Sequence, residues 1–243
     1  MSTATLDATP LASAHGQRGI GTVVRGLIAG FGAMEAERRP TLLIRRGQER
    51  PGGFDAESVR WPRWRLYRVP DPWPAVVERG LHDRDGVFHA TQPALVPRGE
   101  RVVATCYDLI PARFPRWYLH GPGRAAERRA YGRFLERLRA ARLVWAISEE
   151  TKRDAVALGG ADPGRVRVVP LAPAPEVAPE GEVPDEPYVL FAGGSEPHKN
   201  ATLALEAIAL ARADVRLVMV GAWSRRRAER LRRRARGLGG RDR

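Results

Sequence analysis

The sequence predicts an α/β protein built on a mostly parallel sheet and divided into two units. Three observations carry this reading. Short apolar runs alternate with helix-period patterns along most of the chain. Tight glycine turns come directly before a helical pattern twice, at Gly19-Ile20-Gly21 and at Gly193-Gly194-Ser195. Between them, residues 173–187 hold five prolines and five acids with little apolar content, the composition of an interdomain linker. The expected domains are residues 1–172, the linker 173–187 and a shorter unit 188–243.

Each element follows from local pattern. Residues 5–8 read as a first short strand. After the first glycine turn, Val23, Val24, Leu27, Ile28, Phe31 and Met34 recur at helical spacing. Residues 41–44 read as a buried strand and 65–69 as an alternating one, after which Pro70, Pro72 and Pro74 break the chain. Residues 87–90 and 102–106 are further strands. Gly121-Pro122-Gly123 opens a polar-rich helix to about residue 141, with Tyr131, Phe134, Leu135 and Leu138 on one face. Residues 143–147 form a strand. Ser148 is expected to cap the next helix, with Glu149 and Glu150 well placed in its first turn. That helix ends near Gly159-Gly160, and residues 166–169 form the next strand. Beyond the linker come a strand at 188–192, a helix at 200–212, a strand at 216–220 and a basic helix from 225.

Composition narrows the class. Of 243 residues, 43% are apolar, enough for a real core. No apolar run approaches the roughly 18 residues that span a membrane. The first sixteen residues lack a basic start and an apolar signal core, so secretion is not indicated. Cys106 is the single cysteine, which leaves no intramolecular disulfide and makes a reducing cytosol the expected home. Contact with the inner face of a membrane, through basic and aromatic surface residues, is left open. The net charge of +13 is local. From Arg225 to Arg243 ten arginines oppose Glu229 and Asp242, a net of +8, so the rest of the chain carries +5. This tail reads as an exposed helix face, because Leu231 and Leu238 recur at helical spacing; a surface for anionic lipid or nucleic acid is the alternative. Lysine occurs only at Lys152 and Lys199, against 39 arginines.

Four constellations could carry chemistry. In the first, Gly193-Gly194-Ser195 follows an apolar run and precedes His198, Lys199 and Asn200. Glycine lets a ligand approach the backbone closely, a helix N-terminus leaves amide donors free, and Lys199 supplies a full positive charge, all of which suit phosphate. The second is Gly19-Ile20-Gly21, where a tight turn with close helix packing explains the glycines equally well. The two turns would face each other across a cleft if the units pack sheet-end to sheet-end. The third is Tyr107-Asp108 after the strand at 102–106, since ligands of parallel sheets bind beyond the carboxyl ends of strands; a loop cap by Asp108 is the plainer reading. The fourth is His89, at the end of the strand at 87–90, which could bond a sugar hydroxyl. No histidine or cysteine spacing suits a metal. The stretch Trp61-Pro-Arg-Trp-Arg-Leu-Tyr-Arg interleaves aromatic and basic residues, but no nucleic-acid module surrounds it, and no nucleic-acid partner is expected.

Taken together, these pieces resemble the family 4 glycosyltransferases of the GT-B fold, in family order. Arg18-Gly19-Ile20-Gly21 with Val24-Arg25-Gly26-Leu27 looks like the N-terminal glycine loop and helix. Val87-Phe88-His89-Ala90 looks like the strand that ends near the acceptor. Tyr107-Asp108-Leu109-Ile110-Pro111 with Phe114-Pro115 resembles the "HDLIP…FP" segment. Ala146-Ile147-Ser148-Glu149 through Thr151, then Val166 to Leu171, resembles "ISE-T…I-VVPLG". Tyr188 to Asn200 resembles the "YVL-VG--EPRKN" opening of the donor domain, and Val218-Met219-Val220-Gly221 the next strand.

The resemblance implies two Rossmann-like domains and metal-independent, retaining transfer of a sugar. The donor is a nucleotide-sugar, the acceptor a saccharide or lipid-linked molecule, and no further cofactor is implied. It places Gly19, Gly21, Gly193, Gly194 and Lys199 on the donor diphosphate, His198, Asn200 and Ser148 elsewhere on the donor side, Tyr107 and Asp108 at the catalytic centre, and His89 by the acceptor. Tyr107 stands where many members have histidine, and tyrosine is a poor base near neutrality. His198 replaces the usual arginine, and Gly194 takes the place of a second phosphate arginine in other branches. The family's later segment, with two glutamates that bind the nucleoside and sugar, has no counterpart here. The expectation is a complete N-terminal domain and a partial, C-terminally truncated donor domain with impaired transfer. The alternatives are a non-catalytic binding module, or one half of a split enzyme completed by a complementing C-terminal chain.

Overall fold

The computed structural model describes residues 4–13, 15–16, 18–59, 86–92, 96–99, 101–172, 185–211 and 215–238. The strand expected at 65–69, the aromatic and basic stretch at 61–68 and most of the linker at 173–187 lie outside them. The chain divides into two units, Met1–Val177 and Ala178–Arg243.

Among the described residues, unit 1 has seven strands: β1 (Ala4–Asp7), β2 (Thr41–Arg45), β3 (Ala56–Val59), β4 (Val87–Ala90), β5 (Val102–Cys106), β6 (Leu143–Ala146) and β7 (Val166–Val168). Their order is β3-β2-β1-β4-β5-β6-β7, and every pairing is parallel. A parallel sheet is covered on both faces, so its strands are apolar throughout. Leu6, Leu42, Phe88, Val102, Val144 and Val166 accordingly expose 1% or less of their surface. Full burial of such a side chain stabilises the fold by about 1.5–3 kcal/mol.

Two apolar clusters flank the sheet. Helix α1 (Gly19–Gly32) brings Val24, with Ile20, Leu27, Ile28 and Phe31, against Leu6, Leu42 and Ile44. The larger cluster joins Phe88, Val102, Ala104 and Val144 to helices further along the chain. Two single-turn helices, α2 (Ile110–Arg113) and α3 (Pro115–Tyr118), come first, each with proline in its opening turn, where a missing N–H costs nothing. Helix α4 (Ala125–Ala140) contributes Phe134 and Leu138. It begins at Ala125, later than its sequence suggests, because Gly121 and Gly123 take φ values of 118° and 77° in the turn before it. Helix α5 (Glu149–Ala157) is capped as expected: the Ser148 hydroxyl accepts from the Thr151 amide at 3.1 Å. Strand β3 has no counterpart in the sequence reading. Its Ala-Glu-Ser-Val offers no apolar run, and it forms as an edge strand on β2.

Among its described residues, unit 2 has two parallel strands, β8 (Tyr188–Ala192) and β9 (Arg216–Val220), in register from Tyr188 opposite Arg216 to Ala192 opposite Val220. Helices α6 (Ala201–Ala211) and α7 (Arg225–Gly237) follow them. Tyr188, Val189 and Leu190 of β8 are 40%, 44% and 55% exposed. Among the described residues no helix is long and apolar enough to cross a membrane.

Candidate functional site

In unit 1 the strand order reverses between β1 and β4, which lie side by side. The crevice beyond the carboxyl ends at such a point is where open α/β sheets take ligands. A buried polar cluster occupies it. Asp7 ends β1, and its carboxylate Oδ1 accepts from the Thr9 amide at 3.0 Å and the Thr9 hydroxyl at 2.6 Å. The Thr91 hydroxyl, just past β4, donates to the Asp7 carbonyl at 2.7 Å. The Gln92 side-chain amide donates to Thr9 Oγ1 at 2.9 Å. Burial pushes the Asp7 carboxyl above its ordinary range, and the bonds from Thr9, Gln92 and Thr91 oppose that rise.

The cluster reaches the residues read from the sequence. The Tyr107 hydroxyl, past β5, donates to the Thr91 carbonyl at 3.0 Å. Burial, and then the charge of Asp7, raise the phenol further above its normal value, so it stays protonated as a donor. Asp108 accepts from the Ile110 amide at 3.1 Å, closing the turn into α2. Thr151 donates to the Tyr107 carbonyl at 3.1 Å while its amide holds Ser148. Tyr107, Asp108 and Ser148 thus all lie past the carboxyl ends of β5 and β6, each already engaged with backbone. His89 sits within β4 rather than past its end. Its Nε2 meets Thr105 Oγ1 at 2.8 Å, its ring lies 5.2 Å from that of Trp145, and burial lowers it to about 4.

The two glycines of the first loop differ. A Cβ on Gly21 would lie 2.6 Å from the Gly16 carbonyl carbon and from the His15 oxygen, so this position is closed by backbone. A Cβ on Gly19 would meet nothing within 4 Å. Arg25 fixes the loop by donating to the Gly16 carbonyl at 2.8 Å. Burial lowers His15, with Arg18 and Arg45 adding repulsion, so cations gather around this loop.

In unit 2 the turn after β8 is tied down from inside. The Gly193 amide donates to the Val220 carbonyl at 2.8 Å and the Ser195 amide to that of Ala222 at 3.3 Å. Those two amides are therefore spent on the protein. Positive charge comes from side chains instead. Lys199 ends a single 3₁₀ turn, Pro197–Lys199, that also holds His198, and its Cδ would lie 3.7 Å from a Cβ on Gly193. Arg227 of α7 donates to the Ser195 carbonyl. Asn200 takes the left-handed conformation, φ 49°, and turns the chain into α6. Sequence reasoning missed Asp7, Thr91, Gln92, Arg227 and also Glu196, whose carboxyl carbon would lie 3.1 Å from a Cβ on Gly194. Position by a strand end was a signal for Asp7, in the strand read at 5–8, and for Thr91 and Gln92, directly after the strand read at 87–90; Arg227 and Glu196 had none. Among the described residues no cluster of histidine, cysteine, aspartate and glutamate could hold a metal ion.

No protein-family model matches the sequence, and no curated protein matches it. Solved structures do match the fold. HepE of Anabaena in complex with UDP and glucose aligns with a TM-score of 0.58 at 13% identity, over 100% of this chain and 68% of that one. HepE with UDP aligns at 0.59 and 13% identity, over 98% and 66%. The apo form of WaaB, a lipopolysaccharide outer core galactosyltransferase, aligns at 0.54 and 15% identity, over 98% and 65%. The fold is GT-B-like. At these identities the likeness is one of fold, and the chain spans about two thirds of the length of those structures.

Proposed function

We propose that the chain is a glycosyltransferase, or the greater part of one, of the family 4 type. It transfers a sugar from a nucleotide-sugar to a saccharide or lipid-linked acceptor, with retention and without a metal. The observation that carries the reading is Lys199, set beside the Gly193 turn after the first strand of unit 2, in a chain whose fold is shared with HepE bound to UDP and glucose. The diphosphate of the donor is the leaving group. Its negative charge grows as the glycosidic bond breaks, and in this reading Lys199 and Arg227 supply the cations that meet it. On unit 1, the open space over Gly19 leaves a ligand room to reach the backbone, and Asp108, exposed past β5, offers a carboxylate to an acceptor. Retention rests on the family 4 motifs themselves.

A second reading, a binding module or one half of a split enzyme, is supported by the exposure of Tyr188, Val189 and Leu190. Strands of a parallel sheet are normally covered on both faces, so this unit has apolar surface for further polypeptide. Calorimetric titration of the 243-residue chain with UDP, GDP and ADP sugars tests the donor site. One of the three should bind, and Lys199→Ala should weaken it by about 10- to 100-fold, the range for a hydrogen bond to a charged group. Equal affinity in the variant would remove Lys199 from the site. Binding without turnover would select the second reading.

A further inference from the structure

Helix α7 carries eight arginines and one glutamate in thirteen residues, a net of +7. Its half-buried residues are Ala228, Leu231 and Ala235, a single stripe at helical spacing, so this narrow face meets the protein and the arginines turn outward. Arg226, Arg230 and Arg233 lie at i, i+4 and i+7 on the opposite side. All three are exposed and make no ion pair with a described residue.

Helix α6 is tied to it by an ion pair. Its Glu206 bonds Arg234 of α7 at 2.7 Å. Leu203 and Leu210 flank Glu206 at i−3 and i+4, on the same side of the helix, and are 57% and 81% exposed. Leu238, just past α7, is 37% exposed. Exposed leucines of α6 and an exposed arginine row of α7 are thus carried on two helices joined through Glu206 and Arg234.

We infer that this pair of helices docks on a membrane of anionic phospholipid. The arginines meet the phosphates of the headgroups, and Leu203 and Leu210 enter the top of the acyl layer. Charge complementarity alone would also admit nucleic acid. The leucines decide against it, because a nucleic acid has no apolar layer to receive them. Neither helix carries an aromatic residue to stack on bases. Arg226, Arg230, Arg233, Leu203 and Leu210 are not residues of the donor turn, and the inference stands whether or not the chain transfers sugar.

Co-sedimentation of the full chain with vesicles tests it. With phosphatidylcholine vesicles containing roughly one third phosphatidylglycerol, the chain should bind, and binding should weaken steeply with salt. Pure phosphatidylcholine should bind far less. The triple variant Arg226→Gln, Arg230→Gln, Arg233→Gln should lose affinity by about 100-fold, from three arginine contacts at the surface. The double variant Leu203→Ser, Leu210→Ser should weaken binding and leave its salt dependence unchanged. Far-ultraviolet circular dichroism should match the parent for both variants, since none of these side chains is buried. Equal binding to neutral and anionic vesicles, an unaffected triple variant, or an unaffected leucine variant would overturn the inference. So would retention on duplex DNA at a salt concentration that releases the vesicles.

Discussion

His89 and Thr105 are joined across neighbouring strands β4 and β5 by a 2.8 Å contact between Nε2 and Oγ1. The histidine therefore behaves as a packed member of the sheet. Burial brings its folded value to about 4, below the ordinary 6.5. Its contribution to stability is complete above pH 6.5 and is lost as pH falls through about 4. The expected result is a His89 ring resonance titrating near pH 4, and a thermal midpoint that drops across that window. His89→Gln should flatten the drop. A ring that titrates near 6.5 would return His89 to the solvent.

Asp7 has the opposite sign. Its folded value is raised above 3.8, chiefly by burial, so the folded state holds its proton more tightly than the unfolded chain. Stability is then greatest below 3.8 and falls as pH rises through the folded value. Asp7→Asn removes the charge and keeps an acceptor for Thr9. The variant should match the parent at acid pH and exceed it increasingly as pH rises. Asp7→Ala instead strands the buried Thr9 amide, at a cost of about 1–3 kcal/mol. Urea midpoints measured across pH separate the two, and a pH-independent difference for Asp7→Asn would show that the carboxyl carries no burial cost.

The glycine loop offers a paired test. Gly21→Ala puts a methyl group into the backbone of His15 and Gly16 and should cost about 1–3 kcal/mol, the usual range for overpacking. Gly19→Ala meets open space and should leave stability unchanged. If Gly19 faces a ligand, that same change should lower nucleotide-sugar affinity without moving the urea midpoint. Loss of both together would make Gly19 structural.

Glu196 sits beside the Gly194 turn and brings negative charge to the proposed diphosphate site. Glu196→Gln should strengthen diphosphate binding about fivefold, since unit charges about 4 Å apart in water interact by on the order of 1 kcal/mol. The gain should shrink in high salt. Calorimetry with UDP at two ionic strengths reads both, and weaker binding in the variant would make Glu196 a ligand contact.

Strands β4, β5, β8 and β9 were legible as apolar runs between turn residues, and the Ser148 cap from its own local sequence. Each depends on neighbours along the chain. Strand β3 was not legible, because its pairing with β2 holds a segment with no apolar run of its own. The Asp7 cluster was hidden for a related reason. Thr91 and Gln92 reach Asp7 and Thr9 from more than eighty positions away, through the parallel register of β1 with β4. Arg227 was hidden among arginines that look alike until a helix aims one of them at Ser195.

Gly221 takes φ 149°, and a Cβ there would lie 2.5 Å from the Gly193 carbonyl carbon and 3.0 Å from the Gly194 amide. The loops after β8 and β9 thus share one space. Neither can drift alone over evolutionary time, because a side chain gained at 221 would be felt first at 193. Descendants of this sequence should keep glycine at 221 whatever residue stands at 193, and a library that admits a side chain at 221 should lose the loop after β8 along with its own.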